Sequence, residues 1–240
     1  MNFSGISDKS LIGKALRFPL HLLPREAVVP ILQGDLRGKR WVVSAYDHGC
    51  WLGSYESDKQ RLFSQTIKPN SIVFDIGANA GFYTLLASKL VGTTGKVFSF
   101  EPFPRNIRYL KKHLQLNRVT NVTVFEAAVA DIAGTSFFKE GGTCGTGHLS
   151  SNGGIEVSVV ALDELIANGT LPLPDYIKMD IEGGEVLALQ GARKMLASHH
   201  PTIFLATHGQ YVHRESCNLL ESLGYKLQPI DGKALTECDE

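Results

Sequence analysis

Short apolar runs alternate along most of this chain with longer segments in which apolar residues recur at every third or fourth position. Runs rich in β-branched and aromatic residues predict buried strands at 72–74, 96–100, 122–125, 156–161, 175–179 and 201–206. Helical spacing predicts helices at 82–90, 107–117, 162–166, 186–196 and 211–223. This alternation predicts an α/β fold of the doubly wound, Rossmann-like class, with a mostly parallel sheet and helices on both of its faces.

The two ends of the chain depart from this alternation. Residues 41–46 read as a strand, and residues 225–230 with 234–236 predict an antiparallel hairpin at the C-terminus. We expect residues 1–60 to form an extension or cap that leans over the binding site or one sheet edge, and residues 61–240 to form the main domain. A short amphipathic helix at 11–16 would pack against this domain or against a second copy in a homodimer.

Composition narrows the class of protein. A length of 240 residues with 43% hydrophobic residues suits one α/β domain with a sizeable core. The 24 basic residues balance 24 acidic ones without a basic stripe, which argues against nucleic acid as the main partner. The four cysteines lack the spacing of a zinc site or a disulfide framework. Without a recognisable signal peptide or membrane span, we expect a cytoplasmic protein.

The turn at residues 75–81 (DIGANAG) is where we expect a cofactor. It follows a predicted buried strand and precedes a predicted helix. In an open α/β sheet, ligands bind in the crevice outside the carboxyl ends of the strands, and glycines there let the backbone approach a ligand closely.

The side chains near this turn favour S-adenosylmethionine over a dinucleotide. Asn79 stands where a dinucleotide-binding turn has its middle glycine, and the carboxylate of Asp75 would repel a pyrophosphate. S-adenosylmethionine carries an ammonium group that Asp75 could bind directly or through water. Glu101 ends the next strand, close to the spacing of about 20 residues at which an acid binds ribose hydroxyls. The structural alternative makes Asp75 a helix-capping residue and Glu101 a solvated loop end.

A second chemical centre is predicted where three acids come within six residues. Asp180, Glu182 and Glu185 surround a Gly-Gly step, and carboxylates this close need cations, donors or water. Glu185 could equally be a first-turn acid that favours the following helix. Asp180 is the stronger candidate because it ends a strand, as Asp75 does.

Three segments, in this order, resemble the FkbM family of S-adenosylmethionine-dependent methyltransferases: residues 75–83 (DIGANAGFY), 100–102 (FEP) and 178–185 (KMDIEGGE). The resemblance runs from about residue 55 to residue 208, and its last segment is the most specific. It implies a class I methyltransferase fold in which residues 61–240 bind S-adenosylmethionine. It also implies O-methylation of a hydroxyl on a sugar or another small, natural-product-like acceptor.

The resemblance also assigns residues. Glu56 would meet the ligand, although it could equally be a surface acid at a helix start, and the alanines at 127 and 128 would leave room beside the adenine ring. His208 matches the family, whereas Ala206 and Thr207 replace its usual acid and apolar residue. The expected cofactor-binding residues are therefore Glu56, Asp75, Gly77, Ala78, Asn79, Gly81, Tyr83, Glu101, Pro102, Ala127, Ala128 and Asp180.

The expected reaction is attack of a hydroxyl on the sulfonium methyl, for which alignment should matter more than any single base. The expected catalytic residues are Asp180, Glu182 and His208, with His208 as the base and Asp180 as the alternative if burial raises its pKa. These three could also hold a divalent cation that lowers the pKa of the hydroxyl. The glycine-rich stretch 140–154 is either a mobile surface loop or a lid, and we favour a lid.

Two other classes remain open from the sequence. A nicotinamide-dependent oxidoreductase would share the fold, but Asn79 and Asp75 argue against it. A catalytically silent S-adenosylmethionine-binding module is suggested only by the altered residues before His208. Cofactor affinity would separate the methyltransferase from the first alternative, and turnover would separate it from the second.

Overall fold

The computed structural model of this protein describes residues 23–140, 147–150 and 154–230. The strands are, in chain order, β1 (Val28–Pro30), β2 (Arg40–Val42), β3 (Ile72–Ile76), β4 (Lys96–Phe100), β5 (Val122–Phe125), β6 (Ala127–Val129), β7 (Gly134–Glu140), β8 (Gly147–Ser150), β9 (Ile155–Val160), β10 (Tyr176–Met179) and β11 (Thr202–Leu205). The helices are α1 (His48–Leu52), α2 (Ser57–Thr66), α3 (Phe82–Val91), α4 (Pro104–Leu116), α5 (Leu162–Ala167), α6 (Glu185–Gln190), α7 (Arg193–His199) and α8 (Gln210–Ser222). Within these described residues, no helix combines the length and apolar character that a bilayer span requires.

Five parallel strands in the order β11-β10-β3-β4-β5 form the central sheet, which confirms the predicted fold class. The strand order reverses where β3 and β10 lie side by side, and such a reversal opens a crevice at the carboxyl ends of the strands. Asp75 in β3 lies in register with Lys178 in β10. Glu101 and Asp180 directly follow β4 and β10, so the topology gathers these four charged residues at one edge.

Hydrophobic clusters cover both faces of the central sheet. Along β3, Val73 joins one buried cluster and Phe74 the other, because successive strand residues point to opposite faces. The first cluster includes α3 and the N-terminal segment, and the second includes α5 to α8. Seven of the ten residues of α3 are buried. This burial fixes the start of the helix, and therefore the turn that precedes it.

A second sheet, in the order β6-β9-β7-β8, is mixed: β6 pairs with β9 in parallel, and β7 pairs with β9 and with β8 antiparallel. Strands β1 and β2 form a separate antiparallel pair. Glu140 ends β7 and residues 147–150 pair with that strand, so the expectation that 140–154 is a loop or lid is wrong for these five residues. The predicted C-terminal hairpin is not seen where the structure can test it, because residues 225–230 form no strand. Its turn and second arm lie outside the described residues.

The N-terminal segment packs against α4 rather than forming the predicted strand over 41–46. Strand β2 ends at Val42, and residues 43–46 turn away from it. Side chains of α4 bond the free edge of β2: Asn117, at the helix end, bonds both the N–H and the C=O of Arg40, and His113 Nε2 accepts the N–H of Val42 at 3.0 Å. The helix thus takes the place of a neighbouring strand.

The predicted helix at 186–196 is instead two helices, α6 and α7. The chain breaks at Gly191, where an added Cβ would lie 2.0 Å from the carbonyl oxygen of Ala130. The first amides of α7 are satisfied from another helix, since Asp163 accepts hydrogen bonds from the N–H groups of Lys194 and Met195 at 2.8 and 2.9 Å. Tertiary contacts therefore override the helical pattern here.

Candidate functional site

A cleft with an empty volume of about 940 Å³, counted to its open mouth, lies at the carboxyl ends of the central strands. Small-molecule ligands of open α/β sheets bind in clefts at this position. Most of the residues expected from the sequence line it, namely Gly77, Ala78, Asn79, Tyr83, Glu101, Pro102, Ala127, Ala128, Asp180 and Glu182. The structure therefore brings the two predicted chemical centres to one cavity.

The turn between β3 and α3 depends on its glycines. Gly77 has a φ of 78°, and a Cβ there would lie 1.9 Å from the carbonyl oxygen of Asp180. Gly81 has a φ of 92°, and a Cβ there would lie 2.4 Å from Leu110 Cδ1. Gly81 begins α3 behind the cavity lining rather than on it. The turn can therefore pass close to both neighbouring elements only with glycine at these two positions.

Asp75 lies behind the lining and is almost fully buried. One carboxylate oxygen accepts the Thr84 hydroxyl at 2.6 Å, and the other, Oδ1, has no hydrogen-bond partner among the described residues. Burial raises the pKa of Asp75, while Lys178 and Thr84 oppose that rise. Direct contact between Asp75 and a ligand is thus not shown by the geometry, and its nearest cation is Lys178.

Glu101 holds the two motif turns together at the cavity wall. Its carboxylate accepts the N–H groups of Asn79 at 2.7 Å and Phe103 at 2.9 Å, and the amide of Asn106 at 3.3 Å. Burial raises the pKa of Glu101 to about 7, although these three donors oppose the shift. The residue is therefore fixed in place and poised to change its protonation state near neutral pH.

Lys178 is a charged residue of the site that the sequence prediction missed. Its Nζ lies 3.9 Å from Asp75 and 3.7 Å from Asp180, and it donates a hydrogen bond to the Gly77 carbonyl at 3.2 Å. Burial alone would lower the pKa of Lys178, but the two carboxylates outweigh it and raise the pKa. The sequence held two signals, a lysine within an otherwise apolar strand (YIKM) and its place at the start of the 178–185 segment of the family resemblance, but neither gave Lys178 a role.

The three predicted catalytic residues are brought together. Asp180, Glu182 and His208 each offer a ligand atom within 4.8 Å of the others. His208 Nε2 lies 3.5 Å from Asp180 and 3.8 Å from Glu182. Glu182 adopts a φ of 57°, which is unusual for a residue with a side chain. The cluster combines one imidazole with two carboxylates. Asp180 and Glu182 line the cavity, whereas His208 lies beside them and not on the lining.

Glu185 orients His208 from a fully buried position. Nδ1 of His208 lies 2.9 Å from Glu185 Oε1, which also accepts the N–H groups of Ile181 and Gly183. This oxygen is an acceptor, so Nδ1 is the donor and Nε2 faces the two remaining carboxylates. The hydrogen bond to Glu185 raises the pKa of His208, burial opposes it, and the nearby carboxylates add to the rise.

Asp180 has the opposite shift. Burial would raise the pKa of this carboxyl group, but the charges of Lys178 and His208 outweigh burial and lower it. Asp180 is therefore ionised at neutral pH and accepts protons poorly. This difference favours His208 over Asp180 as the base in the sequence hypothesis.

Glu56 lies beside the cavity rather than on its lining. Its carboxylate accepts the Tyr83 hydroxyl at 3.0 Å and pairs with Lys59 at 2.6 Å. Three lining aromatics, Trp41, Tyr46 and Tyr55, come from the N-terminal segment and were not among the predicted site residues. Sequence periodicity could not indicate them, because a turn and not a strand delivers Tyr46.

Comparison with known proteins finds a family match. The family model described as the methyltransferase FkbM domain matches residues 75–227, more than half of the 240-residue chain. Hexuronic acid methyltransferase AglP of Haloferax volcanii is 28% identical, over 60% of this chain and 59% of that protein. The 31-O-demethyl-FK506 methyltransferase FkbM of Streptomyces tacrolimicus is 29% identical, over 52% of this chain and 60% of that protein.

The fold of a solved protein agrees with this match. The crystal structure of methyltransferase FkbM from Methylobacillus flagellatus superposes with a TM-score of 0.50 at 18% identity, covering 73% of this chain and 47% of that one. At this identity the likeness concerns the fold alone. The chain spans about three fifths of the length of the two curated relatives it matches.

Proposed function

This chain belongs to the FkbM methyltransferase domain family, and we propose that it transfers a methyl group from S-adenosylmethionine to a hydroxyl on a sugar or another small acceptor. The observation that carries the proposal is the meeting, at one cavity, of the glycine turn with Glu101, Asp180 and Glu182, next to which His208 lies. A sugar acceptor is supported by the name of AglP, a hexuronic acid methyltransferase.

The residues of the cavity fit this cofactor. Gly77 lets the turn lie directly against the Asp180 carbonyl and so brings the two motifs to one cavity, and Glu101 presents a fixed carboxylate suited to two ribose hydroxyls. Ala127 and Ala128 keep the wall beside them shallow, as a flat base requires. When bound, S-adenosylmethionine supplies an electrophilic methyl on a sulfonium. The cap formed by residues 1–60, which we retain as a proposal, would exclude water from that methyl.

His208 is the proposed base. Its Nε2, turned outward by Glu185, would take the proton of the acceptor hydroxyl as the oxygen–carbon bond forms and the carbon–sulfur bond breaks. S-adenosylhomocysteine is then the leaving product, and the proton rests on His208. Asp180 and Glu182 would stabilise the imidazolium that results, at the distances already given. We expect His208→Ala to lower turnover by about 10² to 10⁴-fold.

As an alternative to a base at His208, we propose that Asp180, Glu182 and His208 hold a divalent cation that lowers the pKa of the acceptor hydroxyl. The ligand atom of His208 would be Nε2, since Nδ1 is bonded to Glu185, so His208 could not act as the base while the cation is bound. Oxygen and imidazole ligands suit Mn²⁺, and Glu185 on Nδ1 of His208 is the kind of partner that orients a metal-binding histidine. Titration with Mn²⁺, followed by electron paramagnetic resonance, should show one site in the wild type and none in Glu182→Gln. His199→Ala, on the exposed end of α7, is the control. Full activity in a chelator would remove the cation from the mechanism.

The first experiment is calorimetric titration with S-adenosylhomocysteine and, separately, with NAD. We expect micromolar binding of S-adenosylhomocysteine alone. Glu101→Ala should weaken it by about 10- to 100-fold, because charged hydrogen bonds to the ribose are lost. Glu126→Ala removes an exposed acid just beyond β5 that lies outside the cavity lining, and should change nothing. Binding of NAD alone would overturn the proposal in favour of an oxidoreductase.

Turnover is the second arm of this test. The protein is incubated with methyl-labelled S-adenosylmethionine and a panel of hydroxylated small molecules, and product label is counted. Transfer to oxygen confirms the enzyme. Tight S-adenosylhomocysteine binding without transfer to any acceptor would instead support a silent binding module.

A further inference from the structure

Three tyrosines stand side by side on the cavity wall. The ring centroids of Tyr46 and Tyr55 are 5.8 Å apart at an angle of 85°, and those of Tyr55 and Tyr83 are 6.5 Å apart at 66°. The Tyr83 hydroxyl donates a hydrogen bond to Glu56, and the Tyr83 side chain is buried. Tyr46 and Tyr55 are only partly buried, so they offer ring surface to the cavity.

The two partly buried rings line the same cavity as Asp180 and Glu182. Burial, and then the carboxylate of Asp180, raise the pKa of Tyr46 to about 12, and Glu182 adds to this effect while a hydrogen bond with Tyr55 opposes it. Asp180 also contributes to the raised pKa of Tyr55. Both phenols therefore lie within electrostatic reach of the acidic cluster, and both stay neutral at physiological pH.

The rings are held in place before any ligand binds. Arg105 of α4 donates a hydrogen bond to the carbonyl of Ser44 at 2.9 Å, and Tyr109 contacts the Ser44 hydroxyl at 3.2 Å, so the turn that carries Tyr46 is anchored. The side-chain amide of Gln60 bonds the carbonyl of Tyr55. A preformed wall of this kind spends little conformational entropy on binding.

Resting on the proposed function, we propose that Tyr46 and Tyr55 form the acceptor subsite and that its ligand is a saturated, polyhydroxylated ring such as a pyranoside. Such a ring presents C–H groups on its face, which pack on an aromatic ring, and hydroxyl donors on its rim. The rim hydroxyls would meet Asp180 and Glu182, which accept hydrogen bonds. Both tyrosines lie outside residues 75–227, so the aromatic part of acceptor recognition would reside outside the matched family region.

The test measures methyl transfer to matched acceptors. One set contains methyl pyranosides, and the other contains phenols and open-chain alcohols of similar size, each with saturating labelled S-adenosylmethionine. On the best pyranoside, Tyr46→Leu should raise KM about two- to tenfold with kcat little changed, because a stacking contact is lost. Tyr46→Phe keeps the ring and should restore KM. Tyr211→Leu, at an exposed tyrosine on α8, is the control.

The outcomes separate this proposal from the proposed function. Transfer confined to phenols or open-chain alcohols, or a KM unchanged in Tyr46→Leu, overturns the subsite while the methyltransferase stands. A parallel fall in S-adenosylhomocysteine affinity and kcat in Tyr46→Leu would show a structural role and also overturn it. If no hydroxylated acceptor is methylated, the proposed function itself is contradicted.

Discussion

The ammonium of Lys178 balances two carboxylates that reach it from different strands. Asp75 approaches from β3 at 3.9 Å, and Asp180 follows the end of β10 at 3.7 Å. Asp75 is only 1% exposed, so its charge cannot be screened by water if the lysine is removed. Breaking a buried pair by removing one partner leaves the other charge uncompensated. At the residue scale, Lys178 therefore stabilises the strand ends that carry Asp75 and Asp180.

We expect Lys178→Met to lower the free energy of unfolding by about 3 kcal/mol at pH 7, because Asp75 is left buried without its cation. Urea denaturation followed by circular dichroism measures this loss. Adding Asp75→Asn to Lys178→Met should recover part of the stability, since the orphaned charge is then gone. Lys111→Met breaks an exposed ion pair with Glu126 and should change stability by less than about 1 kcal/mol. Equal effects of the two lysine substitutions would contradict this account.

The sequence alone could predict a site residue when that residue closely follows a predicted strand. Asp180, Glu182 and His208 follow β10 and β11, and the prediction that they share one cluster is confirmed by their positions. Lys178 was not predicted, and Glu185 was left open between a site acid and a helix-start acid, because their partners are set by register and helix packing. Neither partner is visible in a single chain without its fold. The roles of the predicted residues remain proposals.

At the scale of elements, the break between α6 and α7 shows how a neighbour can end a helix. Gly191 passes so close to the Ala130 carbonyl that no side chain fits, and the Gly191 carbonyl accepts the N–H of Asp163 at 2.8 Å. The carboxylate of Asp163 then caps α7. The two short helices are thus fixed by contacts with β6 and α5, not by their own sequence.

We expect Gly191→Ala to destabilise the fold by about 2 kcal/mol, because its Cβ would overlap the Ala130 oxygen and force the backbone apart. Thermal unfolding followed by circular dichroism should show the lower midpoint. Gly134→Ala is the matched control, since nothing lies within 4 Å of a Cβ there and its φ is not left-handed. That substitution should be neutral or slightly stabilising. A harmless Gly191→Ala would mean that α6 and α7 can merge.

The central elements were predictable because each combines a clear period with a clear end. Strands β4 and β5 occupy the predicted residues, and α3 and α8 differ from prediction by one residue at either end. The prediction made the N-terminal strand too long. Residues 43–46 form a turn whose apolar side chains pack in the core, and they do not pair with a neighbouring strand. Apolar character indicates burial, and only longer periodic segments also indicate the kind of element.

At the scale of the whole molecule, buried acids at the cavity should make stability depend on pH. The folded state raises the pKa of Glu101 to about 7 from an ordinary value of 4.5, and it raises the pKa of Asp75 as well. At a pH between 4.5 and about 7, Glu101 is protonated in the folded chain and ionised in the unfolded chain. Stability contributed by such a group is greatest at low pH and falls as pH rises through that window.

We therefore expect Glu101 to lower the free energy of unfolding by on the order of 3 kcal/mol as pH rises from about 5 to 7. His113 acts against this fall, because burial lowers its pKa from 6.5 to about 4 and its contribution to stability grows as pH rises between these values. The raised pKa of His208 adds to the Glu101 effect only above the ordinary histidine pKa of 6.5. Urea unfolding across this range measures the net slope. Glu101→Gln should remove the falling contribution from that slope, because glutamine does not titrate. An unchanged slope in that variant would show that Glu101 is not the group responsible.

Ligand binding should reverse the part of this slope that belongs to Glu101. If ribose hydroxyls donate to its carboxylate, the ionised form is favoured and its pKa falls in the complex. Binding then releases a proton, so S-adenosylhomocysteine affinity should rise between pH 5 and pH 7 and level off above it. Calorimetry in buffers of different ionisation enthalpy counts that proton directly. If Glu101→Gln binds S-adenosylhomocysteine more weakly and no longer releases a proton on binding, the carboxylate that recognises the cofactor is the one that destabilises the empty fold. If the variant releases the same proton, the titrating group lies elsewhere.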